Sequence, residues 1–421
     1  MVEFIYDISR LTTRVTNTTP NGIDWIDSLL ADHFLRKAAL PLIFGFGGPR
    51  LFPSGAVPNP VENLDRHWRR TMASASDNDV PDWLMHALCG DTNVAQQPQS
   101  ELWALATIRK VRRGAQAFAH YGLRLGEDPR KAPRAAICIN AANFPLEWHR
   151  HIAWLDERQD VKLVPFIHDL LPLTDPRWFW RREPGLHARR LDLLARRGTA
   201  AIVASAEVEH HLRVYMENRG RFDLPIYRAR PPVLPLFHEP IAPDPRLVNA
   251  NYFIACGTIE PRKNHKLLLE VWRRLVEARG PDVPRLLIIG KRGWLSDDIV
   301  KEIYDPRLRG SVIEARDLST FGYRVALRHA RALLAPSLAE GFGLPVAEAL
   351  TAGVPVVASD IAPHREQGGI AAIYLDPAKP DDWRAVVETL AQKQPTVRRG
   401  FVAVEPETYF QSLDKFFHQF Q

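Results

Sequence analysis

Short β-rich runs alternate with helical stretches along almost the whole chain, and that alternation permits few architectures. Strand, helix and strand in succession favour a parallel sheet covered by helices on both faces. In the first half the strand runs are Glu3 to Ile8, Leu42 to Phe46, Ala135 to Asn140, Lys162 to His168 and Ala200 to Ser205. In the second they are Tyr252 to Cys256, Arg285 to Gly290, Ser311 to Ala315, Ala332 to Pro336, Pro355 to Ser359 and Ala372 to Leu375. Between the sets, Arg228 to Asn251 carries six prolines (Pro231, Pro232, Pro235, Pro240, Pro243 and Pro245) and little periodic pattern, which reads as an interdomain connection. At 421 residues the chain exceeds one ordinary core and suits two. The expected fold class is therefore α/β, with two Rossmann-like doubly wound domains. Their boundaries are read as an N-terminal domain over 1–230, a linker over 231–250, a C-terminal domain over 251–400 and a final helix over 401–421. Open sheets bind ligands outside the carboxyl ends of their strands, so two such domains facing each other form a cleft where two substrates meet.

Composition narrows the class further. With 46% hydrophobic and 25% charged residues, the chain is an ordinary globular protein. The most apolar stretch, Ala38 to Phe52, is broken by Pro41, Gly45, Gly47, Gly48 and Pro49, so it falls short of the roughly 18 to 20 apolar residues that span a bilayer. Met1 to Asp7 runs straight into a strand pattern without a basic region or cleavage site, and a cytoplasmic location is expected. Cys89, Cys138 and Cys256 form an odd set without metal-ligand spacing, which fits a reducing compartment. The net charge of +6 suits anionic ligands: nucleotide diphosphates, acidic lipid surfaces or nucleic acid.

The densest chemistry lies in Pro336 to Glu348, where Glu340 precedes Gly341-Phe342-Gly343 and Glu348 follows eight residues after Glu340. Leu333 to Ala335 read as the end of a buried strand, and Leu344 to Ala352, with Pro345 early and Gly353 as stop, read as a helix. Glycines let the main chain approach a ligand closely, and the first-turn amides of the helix then offer positive partial charge to a phosphate. Two carboxylates beside such a phosphate are acceptors suited to hydroxyls, one of a hexose and one of a ribose. Together these features outline a nucleotide sugar; the plain alternative is a helix N-terminus with one favourable acid and one solvated one.

The run Glu-Gly-Phe-Gly-Leu-Pro-x-x-Glu, followed by Ala349-Leu350, Gly353-x-Pro355-Val356 and Ala358-Ser359-Asp360, resembles the retaining glycosyltransferases of family 4. A second block, Gly257-Thr258-Ile259-Glu260-Pro261-Arg262-Lys263-Asn264, is similar to that family's diphosphate-binding loop. The resemblance implies the GT-B architecture, with a last helix crossing back to the first domain; Glu405 to Gln419 carries Tyr409, Phe410, Leu413, Phe416 and Phe417 on helical spacing. It also implies transfer of a hexose from a nucleoside diphosphate sugar, with retention, to a saccharide or lipid-linked acceptor in cell-surface polysaccharide synthesis. The Glu-Pro-Arg-Lys-Asn loop type points to GDP-mannose as donor. Glu340 would orient the sugar hydroxyls, Glu348 the ribose, and Lys263 with Arg262 the diphosphate, while Gly341, Phe342, Gly343 and Leu344 would complete the donor site.

Arg262 and Lys263 are placed by the pattern in the first turn of a helix starting after Pro261; a solvated basic pair is the plain reading of the same residues. His168-Asp169 ends the run Leu163 to Ile167 at the ligand edge of the sheet, where the resemblance puts an active-site histidine near the donor sugar. Ser205 stands where an N-cap would, with Glu207 and Glu209 behind it, and by resemblance also near the cleft. In the loop Thr19 to Asp24 only Gly22 stands where many relatives carry a glycine pair against the phosphate. Asp297-Asp298 and Asp381-Asp382 read as exposed helix-start acids and no Asp-x-Asp occupies a plausible loop, so no metal and no cofactor beyond the co-substrate are expected.

Arg177-Trp178-Phe179-Trp180-Arg181-Arg182, extended by Arg189, Arg190, Arg196 and Arg197, suits either peripheral contact with an anionic membrane at its inner face or an amphipathic helix packed on the sheet. Rival functions are a nucleotide-sugar epimerase of similar fold, a catalytically silent binding module and a nucleic-acid-binding protein. No RNP-like strand or zinc spacing supports the last, so no nucleic-acid partner is expected. Gly45-Phe46-Gly47-Gly48-Pro49-Arg50 lacks the final glycine of a dinucleotide fingerprint and follows the second strand, which sets an oxidoreductase aside.

Overall fold

A computed structural model describes residues 3–14, 21–45, 47–56, 80–90, 126–241, 244–280, 282–316, 318–392 and 400–420. Two sheets organise them. The first has the order β3-β2-β1-β4-β5-β6-β7, formed by β1 Phe4–Asp7, β2 Leu40–Gly45, β3 Gly48–Leu51, β4 Ile137–Asn140, β5 Lys162–Ile167, β6 Ala201–Val203 and β7 Ile226–Arg228. All its pairings are parallel except β2 with β3, a hairpin that registers Leu42 on Leu51 and Gly45 on Gly48. The second sheet, order β10-β9-β8-β11-β12-β13, is fully parallel: β8 Tyr252–Cys256, β9 Arg285–Ile289, β10 Val312–Ala315, β11 Leu333–Ala335, β12 Val356–Ser359 and β13 Ile373–Leu375. The expected pair of doubly wound α/β domains is what the chain forms.

Eleven of these strands fall on the runs named from the sequence, and two do not. β3 contains Gly48 and Pro49, poor strand formers that only an edge position tolerates, and β7 is a three-residue edge strand hidden beside the prolines. The expected end of β2, Phe46, lies outside the described residues, as do Thr19 and Pro20 of the first loop.

Both faces of the second sheet are covered, so its strands are near-continuous apolar runs. Alternation along β8 sends Tyr252 and Ile254 into one core with Leu287, Ile313 and Leu333, and Phe253 and Ala255 into another with Trp272 and Trp383. Trp272 and Trp383 are fully buried, and truncating such a side chain typically costs about 3–5 kcal/mol. Each sheet reverses strand order at one place, between β1 and β4 in the first and between β8 and β11 in the second. A crevice opens at such switch points.

The helix Pro406–His418 buries Tyr409, Leu413, Phe416 and Phe417 among Tyr6 of β1 and Ile26 and Phe34 of the helix Gly22–Arg36. Phe417 meets Phe34 edge-on at 5.4 Å, Tyr227 stacks on Phe416 at 4.5 Å, and His33 stacks on Phe410 at 4.0 Å. The C-terminal end of the chain is thereby fixed to the first sheet.

The two sheets meet across a cleft. Ser205 Oγ donates to the carbonyl of Gly341 at 2.7 Å, the amide of Ala206 to Glu366 at 2.8 Å, and Arg230 to the Gln367 side chain at 2.9 Å. Phe342, from the second domain, packs in the hydrophobic core of the first, and Leu344 touches both. At the far side Phe179 stacks on Trp294 at 5.8 Å, and Trp294 Nε1 donates to the carbonyl of Trp178. Among the described residues no helix is long and apolar enough to cross a membrane.

Candidate functional site

At the switch point of the second sheet, the ends of β8 and β11 open onto a small pocket continuous with solvent. Cys256 and Ala335 to Ser337 form its floor, and Lys263, Glu340, Gly343, His364 and His265 stand around it. Gly343 has φ of 84°, a left-handed conformation that turns the chain from the loop into the helix Leu344–Thr351. No side chain caps that helix, and Pro345 stands in its first turn, so its N-terminal end faces the pocket with uncompensated positive partial charge.

Glu340 is the hub. Its Oε1 accepts from Lys263 Nζ at 2.5 Å and from Ser337 Oγ at 2.7 Å, and its Oε2 accepts from Arg262 at 2.7 Å. Burial alone would push this carboxyl up, but Lys263 and Arg262 outweigh it and hold it far below the usual carboxylate range. Arg262 also donates to the Ala339 carbonyl at 2.8 Å and to Glu260 Oε1 at 2.6 Å. Burial works against its charge, yet Glu340 and Glu260 raise its affinity for the proton. Glu260, buried with one oxygen unpartnered, is itself pushed up by desolvation despite Arg262 and Lys263.

This geometry corrects one expectation. Arg262 and Lys263 do not stand in the first turn of the long helix: they lie in a separate 3₁₀ turn, Pro261–Lys263, and Asn264 at φ 55° breaks the chain before the helix His265–Arg279 begins. Pro261 sets the first turn, while the left-handed Asn264, whose amide donates to the Pro377 carbonyl at 3.0 Å, prevents it from continuing. Both cations consequently point at Glu340.

Glu348 contrasts with Glu340. It is 8% exposed and, among the described residues, its side chain receives one hydrogen bond, from Tyr323 at 3.3 Å, and faces no cation. Burial raises its pKa to about 7, only partly offset by the tyrosine. Cys256 links the two acids: it lines the pocket and borders Glu348, and burial followed by that carboxylate pushes its thiol up to about 12.

The other predicted positions lie along the facing wall. His168 directly follows β5 and is buried, with Nε2 2.6 Å from the Ala141 carbonyl, which can only accept, so Nε2 carries the hydrogen. Burial lowers its pKa to about 4, leaving Nδ1 as an acceptor at neutral pH. Its own carbonyl lies 2.4 Å from where a Cβ on Gly341 would sit, which makes glycine obligatory there. Ser205 serves twice, capping the helix Ala206–Glu217 through Val208 N at 3.3 Å while holding the Gly341 carbonyl. Gly22 opens the helix Gly22–Arg36 under an Asn21/Asp24 capping box and faces Leu344, with room for a Cβ at 3.5 Å. Phe342 points away from the pocket into the N-terminal core. Asp297-Asp298 and Asp381-Asp382 do open helices. Among the described residues, no group of three or more His, Cys, Asp or Glu is placed to hold a metal ion.

Ser337 and Glu260 lie inside the two runs read from the sequence but were given no role there, and His364 was not singled out. A signal existed for His364, four residues beyond the Ala358-Ser359-Asp360 block, but nothing in its spacing says that β12 ends beside β11.

Residues 250–393 match the family model described as Glycosyl transferases group 1. The segment holding the pocket is thus glycosyltransferase-like. Among curated proteins, the serotype-specific mannosyltransferase WbdA of Escherichia coli is 30% identical over 240 residues, which cover 53% of this chain and 29% of that one. The O-antigen chain mannosyltransferase B of Escherichia coli is 34% identical over 141 residues, 33% of this chain and 36% of the other. The chain therefore matches about a third of the length of each relative. Among solved structures, Anabaena HepE in complex with UDP-glucose superposes over 100% of both chains with a TM-score of 0.59 at 14% identity, which identifies the fold as GT-B.

Proposed function

We propose that the protein is a retaining glycosyltransferase that moves a mannosyl group from GDP-mannose to a hydroxyl of a saccharide or lipid-linked saccharide, in cell-surface polysaccharide synthesis. The observation that carries this reading is the Lys263–Glu340–Arg262 cluster beside an uncapped helix N-terminus at the sheet's switch point. The matched family model and the two mannosyltransferase relatives support it.

Hydrogen-bonding capacity remains in both Lys263 and Glu340. Lys263 has three ammonium hydrogens and gives one to Glu340, so two are available to a diphosphate. A carboxylate has about four acceptor sites; Glu340 uses three and keeps one for a sugar hydroxyl. Glu348, underused by the protein, takes the ribose hydroxyls. In the reaction the acceptor hydroxyl oxygen bonds to the anomeric carbon as the bond from that carbon to the β-phosphate oxygen breaks. The hydroxyl proton passes to a diphosphate oxygen, and Lys263 with the helix amides stabilises the departing charge. No protein carboxylate is assigned as nucleophile and no metal is required by this scheme.

Incubation with GDP-mannose, UDP-glucose and related donors, with mannose-containing acceptors and without, tests the reading. NMR of the product should show the donor's anomeric configuration. Turnover without acceptor would indicate the epimerase instead, and no consumption of any nucleotide sugar would overturn the assignment.

A further inference from the structure

His364 sits in the helix Ala362–Gly368 after β12, is 1% exposed, and lines the pocket with Lys263, Glu340 and Gly343. Its Nδ1 lies 3.1 Å from the carbonyl of Ser359. A carbonyl only accepts, so Nδ1 carries the hydrogen and the uncharged ring presents a bare lone pair at Nε2. That edge of the ring faces the loop: Cδ2 and Nε2 are 3.1 and 3.7 Å from the Cβ position of Gly343. Among the described residues Nε2 has no hydrogen-bond partner. Burial, reinforced by Lys263, lowers the ring's pKa against the opposing pull of Glu340, so it is neutral at pH 7.

An acceptor in this place is of no use to a phosphate, whose oxygens need donors. Lys263 and the helix amides supply those. A lone pair next to Glu340 suits a hydroxyl instead, and a hexose attached to a diphosphate held by Lys263 brings several. We propose that His364 reads the donor sugar, its Nε2 accepting a hydrogen bond from a hexose hydroxyl adjacent to the one held by Glu340. This inference rests on the proposed function and adds a specificity residue to it.

The test separates sugar from nucleotide by calorimetry with GDP, UDP, GDP-mannose and UDP-glucose. His364→Asn keeps an amide hydrogen for the Ser359 carbonyl but withdraws the acceptor from the pocket. Its affinity for the nucleoside diphosphate that the wild type binds should stay within twofold, while affinity for the corresponding nucleotide sugar falls about three- to tenfold. His364→Gln, whose side-chain oxygen reaches the Nε2 position, should recover part of that loss. Equal losses for both ligands, or no loss for either, would overturn the role of His364. A wild type that binds no nucleoside diphosphate would overturn the underlying functional reading.

Discussion

Replacing Glu348 by Gln should stabilise the unliganded protein, by an amount that depends on pH in a defined direction. Glu348 is buried with one hydrogen bond and no cation, and its pKa stands at about 7 against 4.5 for the free side chain. The folded protein thus keeps a proton that the unfolded chain releases near 4.5. The stabilisation from this proton is fully present below pH 4.5 and is lost as pH rises from 4.5 through 7. At about 1.4 kcal/mol per unit, the loss amounts to about 3 kcal/mol by pH 8. Glutamine does not titrate, so the stability of Glu348→Gln minus that of wild type should grow by about 2–3 kcal/mol between pH 5 and pH 8. Urea unfolding followed by far-ultraviolet circular dichroism at each pH gives the stability of the two proteins. Taking the difference at each pH cancels the other titrating groups. A difference that is flat from pH 5 to 8 would show that Glu348 is already ionised at pH 5 and would refute the argument. Ribose hydroxyls donate to the ionised form, so nucleoside diphosphate affinity should rise between pH 6 and 8 in wild type more than in the variant.

The cleft offers three further tests. Gly341→Ala sets a Cβ 2.4 Å from the His168 carbonyl, so the domains must part; small-angle scattering should show a larger radius of gyration, at a cost of about 1–3 kcal/mol, and an unchanged radius would contradict the closed contact. Trp294→Ala removes the stack on Phe179, worth about 0.5–1.5 kcal/mol, so a fluorophore pair across the cleft should report a two- to tenfold shift toward open forms, and no shift would show the clasp to be idle. Arg190 and Arg197 are committed internally, the first to Glu147 and Glu183 and the second to the Leu155 carbonyl, but Trp180 is 55% exposed. Pelleting with anionic liposomes above the level with neutral ones is the outcome expected for membrane contact through this segment, and equal pelleting removes it.

Legibility in the sequence followed the range of the forces involved. Parallel strands buried on both faces announce themselves as apolar runs, which is why β8 to β12 were readable, whereas the edge strand β3 carries glycine and proline and β7 is partly exposed beside the proline-rich segment. The acids and the glycine loop were visible because they form one contiguous run. Contacts closing over long separations left no local trace: Phe179 meets Trp294, and Phe342 leaves its own domain for the other's core. The left-handed turn at Asn264 was likewise hidden, since Pro-Arg-Lys-Asn is compatible with a helix start until the Pro377 carbonyl claims the asparagine.

The central claim is that a nucleoside diphosphate sugar lodges between Lys263, the Gly341–Gly343 loop and Glu348. Crystals grown with GDP-mannose or UDP-glucose test it most directly. The account predicts diphosphate density within hydrogen-bond distance of Lys263 Nζ, ribose hydroxyls on Glu348 and hexose hydroxyls on Glu340. Density at another surface, with the Lys263–Glu340 pair untouched, would contradict it.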